Sequence, residues 1–280
     1  MGGARKMLKC VLTIAGSDSG AGAGIQADLK TMAAQGVYGL TVITAVTAQN
    51  TMAVEKFQLL PVEMVEAQID TVLQDFEVAA VKTGMLGNAE IVAAVAAKIK
   101  QYRLKNVVVD PVMVAKSGDY LLEEGAQKAM QEQLFPLARL ITPNLPEAET
   151  FCGGSIEDLH DMREAARQLF AMGPAFVLLK GGHFRHDVEL TDLLYDGKTF
   201  YYYRAPRIET KNTHGTGCTF ASAIASNLAG GRAVPSAVWA ARKYLQKIVA
   251  YGLELGHGNG PMDHFLTWGK NKGKGGQHYV

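Results

Sequence analysis

The residues best suited to chemistry lie in KNTHGTGCTF, residues 211–220. Thr213, His214, Gly215, Thr216, Gly217 and Cys218 lead there into an apolar, helix-like run, FASAIASNLAG. Successive backbone N–H groups at a helix start form an anion site, and glycines leave that backbone open to close approach. Gly215, Thr216, Gly217 and Cys218 thus suit a phosphate, or the charge of a phosphoryl-transfer transition state. A helix start should also pull a thiol below its free pKa of roughly 8.5, which would make Cys218 a usable base. In the other reading its backbone N–H acts and the thiol only lines the pocket.

Four further segments carry candidate groups. GSDSGAGAGIQAD (16–28) has glycines at 16, 20, 22 and 24 and ends in Asp28 on an expected helix. Ile25 breaks the dinucleotide-binding glycine pattern, and Asp18 stands where a nucleophile elbow needs serine. A plain strand-to-helix turn is the alternative. In VVVDPVMVAKSGD (107–119), Asp110 ends a strand-like run. A carboxylate there suits a metal or a hydroxyl, or merely caps a turn. ITPNLPEAE (141–149) sets Asn144 and Glu147 three apart at a helix start. That spacing is a capping box as well as an amide and a carboxylate on one rim, and both roles are compatible. In LLKGGH (178–183), Lys180 closes an apolar run where an ammonium could meet a phosphate.

No Walker A loop, protein-kinase signature or H-E-x-x-H zinc motif occurs. His183 and His186 have no third partner and read as surface residues.

Short apolar runs at 10–15, 40–46, 78–82, 106–110, 138–142 and 175–180 alternate with helical spacing at 62–75 and 89–102, the latter with Asn88 as a fitting N-cap. This predicts a mostly parallel sheet covered on both faces. Two strand-like runs flank Asp196-Gly197 within 190–204, which adds an antiparallel hairpin at one edge. Helices follow at about 217–229 and 235–254. Ligands of such sheets bind beyond the strands' carboxyl ends, where the candidate segments fall.

The chain has 280 residues, with 28 basic and 27 acidic side chains. That balance gives no global attraction to nucleic acid or an anionic membrane. The cysteines at 10, 152 and 218 form no C-x-x-C pair, so a reducing, cytoplasmic setting is expected. VLTIAG is too short for a signal-peptide core or a membrane span. The expected organisation is a short disordered extension (1–7), one domain (8–268) and a flexible tail (269–280).

Taken together, LTIAGSDSGAGAGIQADLKT, YGLTVITAVTAQNT, KTGMLG, NVVVDPVMVAKSGD, LITPNLPEAE, LLKGGH and NTHGTGCT resemble, in order, the hydroxymethylpyrimidine/phosphomethylpyrimidine kinases of thiamin biosynthesis. The resemblance spans about residues 8–265 and implies a ribokinase-like three-layer α/β/α fold. It also implies ATP and Mg²⁺ as cofactors, a cytoplasmic homodimer, and no nucleic-acid or membrane partner. The implied reaction phosphorylates 4-amino-5-hydroxymethyl-2-methylpyrimidine and then its monophosphate.

By resemblance Gln49 reads the aminopyrimidine edge, and Gly16, Ala23, Asp28, Thr47, Met85 and Val112 complete that pocket. Asp28 is a second group for the substrate hydroxyl. Lys180, Asn144 and Thr213 fall on the nucleotide side, Asp110 and Glu147 on the Mg²⁺ side, and Gly215 to Cys218 at the reaction centre. Most ribokinase-like kinases place an aspartate where Cys218 stands. One departure is Ala21, where the family commonly has glycine. A pyridoxal kinase of the same branch is the near alternative. A thiol hydrolase using Cys218 and His214 is the remote one.

Overall fold

The structure, a computed structural model, describes residues 8–113, 122–123, 125–181 and 189–266. The expected extension (1–7) and tail (269–280), residues 114–119 of the Asp110 segment, and His183 and His186 lie outside the described residues.

In chain order the elements are β1 (Cys10–Ser17), α1 (Gly24–Ala34), β2 (Tyr38–Gln49), β3 (Val54–Leu59), α2 (Val62–Asp75), β4 (Val78–Thr83), α3 (Ala89–Gln101) and β5 (Val107–Val109). Next come α4 (Ala126–Ala129), which runs on through turns at Met130–Leu134 and Phe135–Leu137, then β6 (Leu140–Ile141), α5 (Leu145–Cys152) and α6 (Leu159–Ala171). The remainder is β7 (Val177–Leu179), β8 (Glu189–Tyr195), β9 (Phe200–Pro206), α7 (Thr216–Ala229) and α8 (Val234–Ala250).

The nine strands form one sheet in the order β3-β2-β1-β4-β5-β6-β7-β8-β9. The six from β2 to β7 pair in parallel. The hairpin turning at Asp196-Gly197 is antiparallel, as expected. So is β3 at the opposite edge, which the sequence reading missed.

Two cores follow from the period-2 alternation of strand side chains. Leu12, Ile14, Val81, Val107, Val109, Ile141, Val177 and Leu179 point to the face covered by α2 to α6. Val11, Ala80, Val108, Leu140 and Leu178 point to the face covered by α1, α7 and α8. Each fully buried aliphatic side chain contributes about 1.5–3 kcal/mol of transfer free energy. A strand with an apolar residue on both faces can only be central, which is why β4 to β7 occupy the middle.

The caps obey the sequence. Asn88 accepts the Ile91 N–H at the start of α3, and Asp158 accepts those of His160 and Asp161 at α6. Three free thiols agree with the absence of a disulfide framework.

The β1–α1 turn holds one backbone exception. Ala21 has φ +59°, in the left-handed region, at the position where the family commonly has glycine. That conformation costs an L-residue roughly 1–2 kcal/mol. Ala21→Gly should therefore raise stability slightly, by up to about 1 kcal/mol after the added unfolded-state entropy of glycine, about 0.5–1 kcal/mol, is subtracted. Denaturant unfolding midpoints at unchanged slope measure it.

Candidate active site

One cavity of about 680 Å³ opens at the carboxyl ends of the parallel strands. Gly16, Ala23, Thr47, Gln49, Met85, Asp110, Val112, Asn144, Glu147, Lys180 and Thr213 line it, together with Gly215, Thr216, Gly217 and Cys218. The structure thus brings together every candidate except Asp28. Asp28 is fully buried beneath the cavity, where its carboxylate takes hydrogen bonds from Thr13 (2.6 Å), Ser222 (2.6 Å) and Lys82 (2.9 Å). Its two oxygens are committed to these groups, so direct contact with a substrate hydroxyl does not stand.

The anion loop forms because Gly215 adopts φ +79° and presses on the β1–α1 turn. A Cβ at Gly215 would lie 1.9 Å from the Gly22 carbonyl oxygen, so only glycine fits. A Cβ at Gly217 would lie 3.5 Å from Lys180 Nζ and 3.6 Å from Asp110 Oδ2. The start of α7 therefore faces the charged strand ends. The start of α1 also reaches it, since the Gly24 N–H donates to Cys218.

Lys180 donates to Asp110 Oδ1 at 2.8 Å, and Thr142 donates to the same oxygen at 2.9 Å. Burial alone would lower the Lys180 pKa, but Asp110 and Glu147 reverse this and hold it above the ordinary lysine value. Burial would likewise raise Asp110, yet Lys180 and Lys82 keep it below the usual range. Asn144 and Glu147 form a complete capping box: Asn144 N–H to Glu147 Oε2 at 2.7 Å, and Glu147 N–H to Asn144 Oδ1 at 2.9 Å. Burial pushes Glu147 up to about 7, Asp110 adds to that, and Lys180 opposes it.

Two buried carboxylates beside an anion loop are hard oxygen donors of the kind Mg²⁺ takes when phosphate and water complete its shell. The raised Glu147 marks a spot short of positive charge. Asp110 and Glu147 therefore fit a divalent cation.

The Cys218 thiol departs from the expectation. Burial pushes it up to about 11 instead of down. Lys82 pulls the other way, while Asp28 and Asp110 add to the rise. Desolvation of this half-buried thiol at the cavity wall outweighs the helix start. No hydrogen bond joins Cys218 to His214 either. His214 Nε2 pairs with Asp18 Oδ2 at 2.8 Å, which removes the geometry a thiol hydrolase needs.

Sequence reasoning missed Lys82, and it missed that Asp18 and His214 pair with each other. It also missed the Asp192–Arg242 pair on the far wall of the cavity, at 3.3 Å. Their signal was weak, since each lies in a segment whose neighbours looked more reactive.

Such a cavity is suited to moving a phosphoryl group, and its sheet is that of the ribokinase-like small-molecule kinases. The phosphomethylpyrimidine kinase family model matches residues 18–263, and the chain belongs to that family. The hydroxymethylpyrimidine/phosphomethylpyrimidine kinase of Bacillus subtilis is 49% identical over 91% of this chain and 94% of its own. A bifunctional thiamine biosynthesis protein of Geobacter sulfurreducens is 52% identical over 92% of this chain, which spans about half (52%) of that relative's length. Among solved structures, the pyridoxal kinase of Staphylococcus aureus with AMP-PCP and pyridoxal superposes with TM-score 0.85 at 37% identity, over 92% of this chain and 94% of its own. A phosphomethylpyrimidine kinase of Clostridium difficile superposes with TM-score 0.76 at 43% identity, over 85% of this chain and 98% of its own.

Glu147 gives a pH test. Its folded pKa, about 7, lies above the ordinary 4.5. The folded state then holds a proton that the unfolded chain releases, so this group's contribution falls as pH rises through that window. Glu147→Gln keeps the capping box and removes the dependence. In metal-free protein at pH 8 the variant should be more stable, on the order of 1–3 kcal/mol. The gap should shrink as pH falls from 7 and close only below the unfolded value of 4.5, measured by urea unfolding across pH.

Proposed function

We propose that the chain transfers the γ-phosphoryl group of ATP to the hydroxymethyl group of 4-amino-5-hydroxymethyl-2-methylpyrimidine, and then phosphorylates the monophosphate to the diphosphate. The observation that carries this reading is the near full-length similarity to hydroxymethylpyrimidine/phosphomethylpyrimidine kinases at about half identity. The cavity supports it. Met85 and Val112 offer apolar walls for a flat heterocycle, and Gln49 stands beside them. The single Thr47 hydroxyl proton goes to the Ser17 carbonyl at 2.8 Å, which leaves both the oxygen and the N–H₂ of the Gln49 amide for a ligand. An amide that both donates and accepts complements an N–C–NH₂ edge.

In-line phosphoryl transfer asks for positioning and charge neutralisation more than covalent chemistry. Lys180 and the N–H groups of Gly215 to Cys218 neutralise the transferring group. Thr213 and Asn144 border the triphosphate, and Asp110 and Glu147 hold Mg²⁺, which supplies charge neutralisation at the phosphates when bound. The hydroxyl oxygen attacks phosphorus, the bond to the β-phosphate oxygen breaks, and ADP leaves with that electron pair. The thiolate form of Cys218, which has first given its proton to solvent, takes the hydroxyl proton and becomes the thiol. A thiol with a raised pKa is scarcer as thiolate at neutral pH but a stronger base. The same reading makes residues 8–268 a single kinase domain working as a cytoplasmic homodimer.

Pyridoxal is the competing substrate, favoured by the similarity to structures of pyridoxal kinases. Side-by-side kcat/KM values decide: the aminopyrimidine should exceed pyridoxal, and the reverse order would sink the substrate assignment. Cys218→Ala should lower kcat by about 10²–10³-fold, the usual worth of a positioned base, with ATP affinity within about twofold. In the parent, kcat should rise with pH toward the thiol value of about 11. A flat profile would leave Cys218 only its backbone role.

A further inference from the structure

We propose that Asp18 and His214 form a positioning clasp that fixes the pyrimidine slot against the phosphoryl-transfer loop, an inference that rests on the phosphotransfer reading above. The two residues lie 196 apart in sequence. Their side chains are 2% and 7% exposed, and His214 Nε2 meets Asp18 Oδ2 at 2.8 Å.

Each partner organises one wall of the cavity. Asp18 Oδ1 accepts the Gly20 N–H at 2.8 Å, and Oδ2 accepts those of Gly22 (3.0 Å) and Ala23 (2.8 Å). One carboxylate thus folds the whole β1–α1 turn. The adjacent Ser19 holds the backbone of Gln49: its Oγ donates to the Gln49 carbonyl and accepts the Gln49 N–H, both at 2.8 Å. His214 directly precedes Gly215 of the anion loop. Its ring lies so close to Gly22 that a Cβ there would sit 2.1 Å from the ring Cδ2.

A third segment closes the circuit. The His214 N–H donates to the Gly260 carbonyl at 3.2 Å. From the same loop, the Asn259 N–H donates to the Thr51 carbonyl at 2.8 Å, and the Gly258 N–H donates to Thr51 Oγ1 at 3.1 Å. Thr51 is two residues beyond Gln49. The segments around 18–23, 49–51, 214–218 and 258–261 therefore form a closed ring. Among the described residues, Asp18–His214 is the hydrogen bond between two side chains within it. Neither side chain reaches Cys218 by a hydrogen bond, so the pair acts through the backbone it positions.

The consequence is kinetic. If the clasp sets the distance between bound heterocycle and anion loop, releasing it should misplace the hydroxyl by about 1 Å, worth about 10²-fold in rate. The test compares His214→Ala, His214→Gln, Asp18→Asn and the Asp18→Asn/His214→Ala double variant. Pyrimidine kcat and KM, ATP Kd by calorimetry and thermal unfolding are measured for each. His214→Ala should lose about 30–100-fold in kcat and raise pyrimidine KM, with ATP Kd within about twofold. His214→Gln, which keeps a donor to Asp18, should recover at least about tenfold of that loss. The double variant should be no worse than the worse single one.

Full turnover in His214→Ala, a folded glutamine variant as poor as alanine, or additive losses in the double variant would each overturn the clasp. A purely architectural role would lower the unfolding temperature and the active fraction but leave KM unmoved and glutamine without special effect. Should His214→Ala not fold, Asp18→Asn takes its place. An amide nitrogen cannot accept from His214 and the loop N–H groups, so its kcat should fall as far, and an unchanged kcat overturns the clasp. A parent protein that leaves the pyrimidine unphosphorylated fails the functional reading instead, and the same comparison is then made with pyridoxal.

Discussion

The site rests on a buried ion pair. Lys82 on β4 and Asp28 on α1 meet at 2.9 Å with both side chains fully enclosed. Thr13 ties Asp28 to β1 and Ser222 ties it to α7, one turn beyond Cys218. Four elements that frame the cavity thus converge on one carboxylate. Taking two charges out of water costs several kcal/mol per ion, which only close geometry and further hydrogen bonds offset. Asp28 has both. Burial works against the charge on Lys82, and the carboxylates of Asp28 and Asp110 overcome it. The pair at the cavity floor is neutral overall, so the positive charge that faces the cavity at the anion loop is that of Lys180.

From that floor upward, the charges are arranged with a deficit rather than a balance. Lys180 is shared between Asp110 and Glu147, and one cation cannot satisfy both carboxylates. Glu147 therefore stays partly protonated near neutrality. A buried site left in that state gains most from a ligand that brings its own compensating charges. In the proposed function, the nucleotide side is thus the one with an electrostatic shortfall, and the heterocycle side the one defined by apolar walls.

Much of this could be read from the sequence, for definite reasons. The central strands are short runs of Val, Ile and Leu because both of their faces are buried, and no other element has that pattern. The strand-end residues Asp110, Asn144, Glu147 and Lys180 were legible because the carboxyl ends of a parallel sheet are where such groups gather. β3 was missed because VEKFQL lies at an exposed edge, and only half of its residues are even partly buried. Helix α6 was passed over as well, although its Asp158 cap and amphipathic spacing are ordinary signals. Asp28 and Cys218 were misjudged for one reason. Depth below the surface decides whether a carboxylate meets a ligand and whether a thiol ionises, and depth is a tertiary property. Asp18 and His214 are each unremarkable in their own segment, and their meaning appears only when the two segments touch.

The ring of contacts from Asp18 to Gly260 also has a consequence for the order of events during synthesis. Its members come from both ends of the described chain, and His214 docks on a backbone carbonyl at 260. A ribosome adds residues at about 5–20 per second, and the amino-terminal strands emerge first. The β1–α1 turn and its hold on Gln49 are local and can form early, whereas the links to His214 and to 258–260 form only once those residues have been made. A partly made chain can form strands and helices, but it lacks the closed ring that joins the two walls of the cavity.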